Sequence, residues 1–338
     1  MKTDKLPKGA FQLEGDEKGP NILLLGGTHG NELAGIYLIK RILEIFDLDK
    51  KNSKRKVQGL KGNIFFAFGN LEAIKENKRS ISEKDLNRCF VKKDLENKEK
   101  TSPEYTRARE LAPLFGQMDF LFDIHATNNP SEPFICLGSL TELQRELISY
   151  FPADKIMMDD SNPSVLTTSL EGQDVLGTTD YFVNSYGGSD WAMEKFGQKR
   201  GFAFAYETGI ASNASEELIT ELFELFFFLC GEIIDEGVLS KKFLEEFGIY
   251  YKFFFKNSRQ KIFNLAYSEL VRETEASFSY AEGMEQNWLP VKKGDLIGFY
   301  GYDEVLAQEN GLLLFPKPVS MIGNDKGSGI FYIAKELI

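Results

Sequence analysis

Ile22-Leu23-Leu24-Leu25-Gly26-Gly27-Thr28-His29-Gly30-Asn31-Glu32 decides how the chain is read. An unbroken apolar run closed by two glycines reads as a short strand buried on both faces, as in a parallel sheet. From Glu32 to Phe46 the period changes: Leu33, Ile36, Ile39, Ile42 and Leu43 fall on one side of a helix.

The alternation continues outward. Asn63–Phe68 reads as the next strand with Gly69-Asn70 as its exit turn, Thr101–Phe115 as a helix, Asp119–Ile124 as a strand and Gly201–Tyr206 as another buried strand. Asn213 followed by Glu216 predicts a capping box that opens a helix running to about Asp235. Strands alternating with helices imply an α/β fold, a mixed, largely parallel sheet flanked by helices. After about Gly248 the texture changes to short strand-like runs (Tyr250–Phe255, Asp295–Tyr300, Gly311–Phe315) between Gly and Pro turns. The expected organisation is a catalytic domain over residues 1–245 and a small C-terminal all-β domain over 246–338 that caps the active site.

The 338-residue chain carries a net charge of -11, which argues against nucleic-acid binding, since that needs a basic face. The basic run Lys50–Lys56 reads as a solvated loop. Three cysteines, Cys89, Cys136 and Cys230, give neither a disulfide framework nor a zinc-knuckle spacing, and they fit a reducing compartment. Met1–Leu13 has no apolar core of the kind a signal peptide needs, and Leu222–Cys230 is too short for a membrane span. The expectation is a cytoplasmic protein with no membrane or nucleic-acid partner; a homo-oligomer is left open.

There are only two histidines, His29 and His125. His29 and Glu32, three apart where a strand gives way to a helix, can converge on one ion. Zinc takes imidazole nitrogen and carboxylate oxygen at about 2.0–2.2 Å, and catalytic sites keep three protein ligands. His125, near the end of a strand, is the remaining histidine. In parallel sheets ligands gather at the C-terminal strand ends, and His29, His125 and Glu207 share that placement. Asp123 lies two residues before His125 on the same strand, so their side chains share a face. It can orient a metal ligand or make a plain structural hydrogen bond.

Together, GGTHGNE (residues 26–32), DLNRCF (85–90), DIHAT (123–127) and YETG (206–209) resemble the aspartoacylase/succinylglutamate desuccinylase family of the zinc carboxypeptidase superfamily. The likeness covers about residues 20–240, and LLLFPKP (312–318) is similar to the family's β domain. The resemblance implies one zinc per chain on His29, Glu32 and His125, with Glu207 as the catalytic glutamate that takes a proton from water and passes it to the leaving amine. It implies Asn87 and Arg88 as binders of a substrate carboxylate, a role suited to a guanidinium fork and an amide donor. It also implies Asp85 as an acid that orients His29; as a residue type, Asp85 equally suits an N-cap before Leu86. Arg79 is the candidate oxyanion stabiliser, although the family's arginine falls one residue later, at Ser80, so that a one-residue loop insertion is needed. The family arginine ten residues before the catalytic glutamate is Gly197 here, with Lys195, Lys199 and Arg200 nearby. Tyr332 matches a substrate-contacting tyrosine.

The implied activity is zinc-dependent hydrolysis of the amide bond of a small anionic N-acyl amino acid. Residues 186–209 are also similar to carboxypeptidases proper, so a metallocarboxypeptidase acting on peptide C-termini is the alternative, and a metal-binding relic without turnover is the non-enzymatic one.

Overall fold

The computed structural model describes residues 5–138, 140–158, 177–197, 199–234, 254–272, 277–322 and 329–337. The apolar run at Ile22–Leu25 closes strand β1 (Ala10–Gly26). Its side chains alternate between two cores: Ile22 and Leu24 join one, Leu23 and Leu25 the other, and all four are 0% exposed. A strand sealed on both faces needs helices on both faces. Helices α1 (Leu33–Ile45) and α8 (Glu216–Ile234) supply apolar residues to the first core. Helices α4 (Pro103–Phe115) and α6 (Thr179–Tyr186) supply the second. Short helices α2 (Leu71–Glu76), α3 (Lys92–Glu96), α5 (Glu142–Ile148) and α7 (Asp190–Phe196) complete the set described.

The other strands of the main sheet are β2 (Lys54–Phe68), β3 (Phe120–Thr127), β4 (Phe134–Leu137), β5 (Lys155–Met158), β6 (Phe202–Ile210), β7 (Lys261–Leu270), β9 (Leu289–Val291), β12 (Gly311–Leu314) and β13 (Gly329–Glu336). They run in the order β2-β1-β3-β6-β4-β5-β7-β13-β12-β9. The β1–β3, β3–β6, β4–β5 and β5–β7 pairs are parallel, whereas β4–β6 and the pairs beyond β7 are antiparallel. The sheet is therefore mixed and helix-flanked, as expected.

Strand β1 is bent. Its first half, Ala10–Glu14, runs antiparallel to Asn63–Ala67, and its second half, Asn21–Gly26, runs parallel to the same segment on the other side. Gln12 Nε2 donates to Asn63 Oδ1 and Asn63 Nδ2 to Asn21 Oδ1, each at 2.9 Å, so an amide ladder ties the three runs together. Lys54–Val57 pairs with Gln12–Gly15 and forms the outer rim. Part of the basic run read as a solvated loop is therefore a charged edge strand; its exposed Lys54 and Lys56 suit an edge that must not pair further.

Two more local expectations change. The long helix begins at Glu216, but Ser215 caps it: Ser215 Oγ accepts from Leu218 N–H at 3.3 Å, and Asn213 Oδ1 accepts from Ser215 N–H at 3.2 Å. The extra residue between Asn213 and the first turn makes Asn213 a turn former instead of a cap. The C-terminal strands are all β, but β7, β13, β12 and β9 extend the main sheet, because Lys155–Met158 pairs in parallel with Lys261–Asn264. Among the described residues, β8 (Phe278–Tyr280), β10 (Leu296–Tyr300) and β11 (Asp303–Leu306) form the small separate sheet expected at the C-terminal end. The 245/246 boundary and most of the Tyr250–Phe255 run lie outside the described residues, and Phe254 and Phe255 are not in a strand.

Candidate active site

Leaving β1, the chain turns at Gly27 with φ +70°, a left-handed conformation that favours glycine. Gly30 is pressed against Ala73, where a Cβ would lie 2.0 Å from a backbone carbon. The turn sends His29 and Glu32 into the space above the strand ends. Glu32 holds the N-cap position of α1 yet makes no cap bond. Its carboxylate is spent elsewhere: Oε1 lies 2.6 Å from His29 Nδ1, and Oε2 lies 3.0 Å from both His125 Nδ1 and the backbone N–H of Ala126.

His29, Glu32 and His125 are 3%, 2% and 2% exposed. Their donor atoms all lie within 4.8 Å of one another, and among the described residues they are the group able to hold a metal. The outer nitrogens are each pinned. His29 Nε2 meets Asp85 Oδ1 at 2.8 Å and His125 Nε2 meets Asp123 Oδ2 at 2.9 Å. A carboxylate only accepts, so each Nε2 carries its proton; each Nδ1, which faces Glu32, would turn a lone pair inward once a metal replaced its proton. Two imidazoles, one carboxylate and carboxylate-held outer nitrogens suit a zinc ion.

The charges support one another. Burial pushes the Glu32 carboxyl up, but His29 and His125 outweigh it and hold it far below the usual range. Burial and Arg79 depress His29, yet Asp85 and Glu32 raise it overall. Burial likewise opposes His125, and Asp123 and Glu32 lift it well above its ordinary value.

Glu207 stands late in β6, directly paired with His125 of β3. It is 9% exposed, and its Oε2 is buried with no hydrogen-bond partner. Burial, with Glu32 adding to it, drives its carboxyl up to about 7 against the pull of His125, His29 and Arg79. A buried oxygen without a partner is costly, and it is here beside the one cluster described that could hold a metal.

Arg79 reaches the same space. Its guanidinium donates to Glu32 Oε1 at 3.1 Å and to Asp85 Oδ2 at 2.8 Å. Asp85 thus meets both His29 and Arg79; burial would raise its carboxyl, but those two cations hold it well below the usual range. Asp85 is also the N-cap of the turn Leu86–Arg88, accepting from Asn87 N–H at 2.8 Å, so both readings of that residue hold at once. Arg88 is exposed and bonds the carbonyl of Asn87 at 2.6 Å. Its charge is felt at Tyr332, whose phenol is raised by burial and drawn back by Arg88. Gly197 is different: it caps the end of α7, and Lys199 pairs with Asp190 while Arg200 lies over the Phe202 ring, all at the opposite end of β6 from Glu207.

Supports absent from the sequence reading complete the site. Thr28 and Thr179 hydroxyls both donate to Asp123, at 3.1 and 2.6 Å. Glu104, from the first turn of α4, accepts from the amides of Ile81 and Ser82 and from the Ser82 hydroxyl, fixing the loop between Arg79 and Asp85. Thr28 sits inside the His29 motif and had a signal; Thr179 and Glu104 had none short of the tertiary fold.

Residues 18–183 match the succinylglutamate desuccinylase/aspartoacylase catalytic domain. Over that stretch, just under half of its length, the chain carries that family's catalytic domain. It is 32% identical over 149 residues to a probable aspartoacylase of Nostoc sp., a stretch covering 43% of this chain and 45% of that one. It is 35% identical over 112 residues to a succinylglutamate desuccinylase of Pseudomonas fluorescens, covering 32% of this chain and 30% of that protein. The matched stretches thus span less than half of these curated relatives. Murine aminoacylase 3 superposes with a TM-score of 0.61 at 17% identity, over 95% of this chain and 96% of that one, which shows a shared fold. Among the described residues no helix is long and apolar enough to cross a membrane.

Proposed function

We propose that this chain is a zinc-dependent amidohydrolase that releases the amine from an N-acyl amino acid. The observation that carries the reading is the bare Glu207 Oε2 beside the converged His29, Glu32 and His125 donors. The catalytic-domain match supports it, and the two curated relatives are named for N-acyl amino acid substrates.

His29 Nδ1, Glu32 and His125 Nδ1 would hold the zinc ion, which acidifies water and polarises a carbonyl. Glu207 supplies proton traffic: its free oxygen receives the proton shed by the attacking water and returns it to the departing amine. Arg79, tethered to Glu32 and Asp85 with its side chain 30% exposed, turns positive charge toward the carbonyl oxygen as it becomes anionic. Asn87 and Arg88 grip the carboxylate of the amino acid, the first as a directional donor and the second as a fork. Tyr332 adds a phenol at the same end.

Residues 1–245 form the catalytic part in this reading, and the C-terminal segment covers the cleft. Asn129, four residues past His125, donates to Pro316 O at 2.8 Å, and Asn287 Oδ1 accepts from Phe315 N–H at 2.7 Å. This strap beside the metal ligands favours small substrates over long peptides.

Zinc-loaded protein assayed for amine release against N-acetyl, N-formyl and N-succinyl amino acids, with dipeptides in parallel, tests the proposal. Release from acylated amino acids alone is expected. Release from dipeptides would make it a carboxypeptidase, and release from none would leave a metal-binding relic.

A further inference from the structure

Thr179 touches both halves of the site. It is the first residue of α6 and is 1% exposed. Its hydroxyl donates to Asp123 Oδ2 at 2.6 Å, the same oxygen that lies 2.9 Å from His125 Nε2. Its backbone N–H donates to Asn87 Oδ1 at 3.0 Å. The segment entering it is clamped onto the Asn87 turn: Phe90 N–H donates to Gly177 O at 2.9 Å. Gly177, at φ +52°, lies so close that a Cβ there would meet Arg88 O at 2.7 Å.

Each bond has a chemical consequence. A short hydroxyl-to-carboxylate bond is charge-assisted; with Thr28 it fixes Asp123, and Asp123 fixes the tautomer and tilt of His125. On the other side, committing Asn87 Oδ1 to an amide donor settles which way that side chain is turned. Its Nδ2 bonds nothing else among the described residues and is kept as a donor.

The geometry points to Thr179 as a positioning residue that holds His125 through Asp123 and Asn87 through its own amide, so that the metal ligand and the carboxylate-binding amide are set by one residue. This rests on the proposed function for the role of Asn87, but its metal half is independent of turnover.

Three variants separate the two bonds. Thr179→Val keeps shape and amide and loses the hydroxyl. Zinc affinity, read by competition with a chromophoric chelator, should fall about tenfold or more, and kcat should fall with KM within about threefold. Thr179→Ser should restore both. Thr179→Pro also removes the amide, at a helix position that accepts proline after an extended residue, and should add a rise in KM absent from Thr179→Val. Should the valine variant not fold, Thr179→Ala makes the same deletion without bulk. Wild-type zinc affinity in the valine or alanine variant overturns the His125 half, and equal KM for the proline and valine variants overturns the Asn87 half. A wild-type protein that binds zinc but releases no amine from any N-acyl amino acid would sink the proposed function instead, leaving the affinity measurements to judge Thr179.

Discussion

His125 and Glu207 are direct partners across the β3–β6 ladder. Their separation is set by parallel-strand register, so the proposed proton carrier and the proposed metal ligand cannot drift apart as loop residues can. Glu207→Gln should therefore leave zinc binding within about threefold of wild type while kcat falls by roughly 10²–10⁴. Chelator competition and steady-state kinetics on one preparation check this; undiminished turnover removes Glu207 from the mechanism.

Zinc should stabilise the folded protein, because the three donors converge only there. At a free zinc level about 100 times Kd the gain is about 2.7 kcal/mol, seen as a rise in melting temperature that chelator reverses. In His125→Ala the rise should vanish. A zinc-dependent shift of wild-type size in that variant would place the ion elsewhere.

Arg88 is exposed and donates to its neighbour's carbonyl. Arg88→Ala should leave stability within about 0.5 kcal/mol yet raise KM for the true substrate tenfold or more, the loss of a charge-assisted bond worth roughly 1.5–3 kcal/mol. An unchanged KM moves the carboxylate site to other residues.

Glu104 gives a pH signature. Burial raises its carboxyl, but the Ser82 hydroxyl and the Ile81 and Ser82 amides together hold it below the ordinary value of 4.5. A depressed carboxyl stabilises the fold above its unfolded pKa and loses that contribution as pH falls through the folded one. Glu104→Gln should thus cost about 1–3 kcal/mol in urea unfolding at neutral pH, and the gap from wild type should narrow below about pH 4. A gap that widens on acidification contradicts the assignment.

Burial, helped by Asp85 and Glu104, pushes the Cys89 thiol up to about 12, and burial alone raises Cys230 well above its usual value. Neither forms an appreciable thiolate at neutral pH. Both should ignore an aromatic disulfide reagent until denaturant is added, as peptide mapping of the labelled sites would show.

Periodicity located β1, α1, β3 and β6 because strands sealed on both faces and one-sided helices leave local patterns. The scarcity of histidine led to His29 and His125, and the three-residue spacing from His29 led to Glu32. What escaped it depends on pairing across long separations. No local pattern in Lys261–Leu270 says that it adds to the edge offered by Lys155–Met158, so the C-terminal strands looked like a body of their own. Thr179 serves Asp123 from 56 positions away, and Glu104 serves Ser82 from 22. Periodicity tells which face is buried but not which partner waits there.

The bend in β1 constrains how the sheet can be assembled. Asn63–Ala67 lies between two runs of the same strand, so Ala10–Glu14 has no neighbour on that side until a segment some fifty residues later has been made. A chain trimmed before Pro20 would lose that outer cover. It would exchange a rim bearing Lys54, Arg55 and Lys56 for one built from Ile64, Phe65, Phe66 and Ala67. Such an uncovered apolar ribbon invites other copies to add their own strands, so the N-terminal run guards solubility at the end of the sheet away from the C-terminal strap.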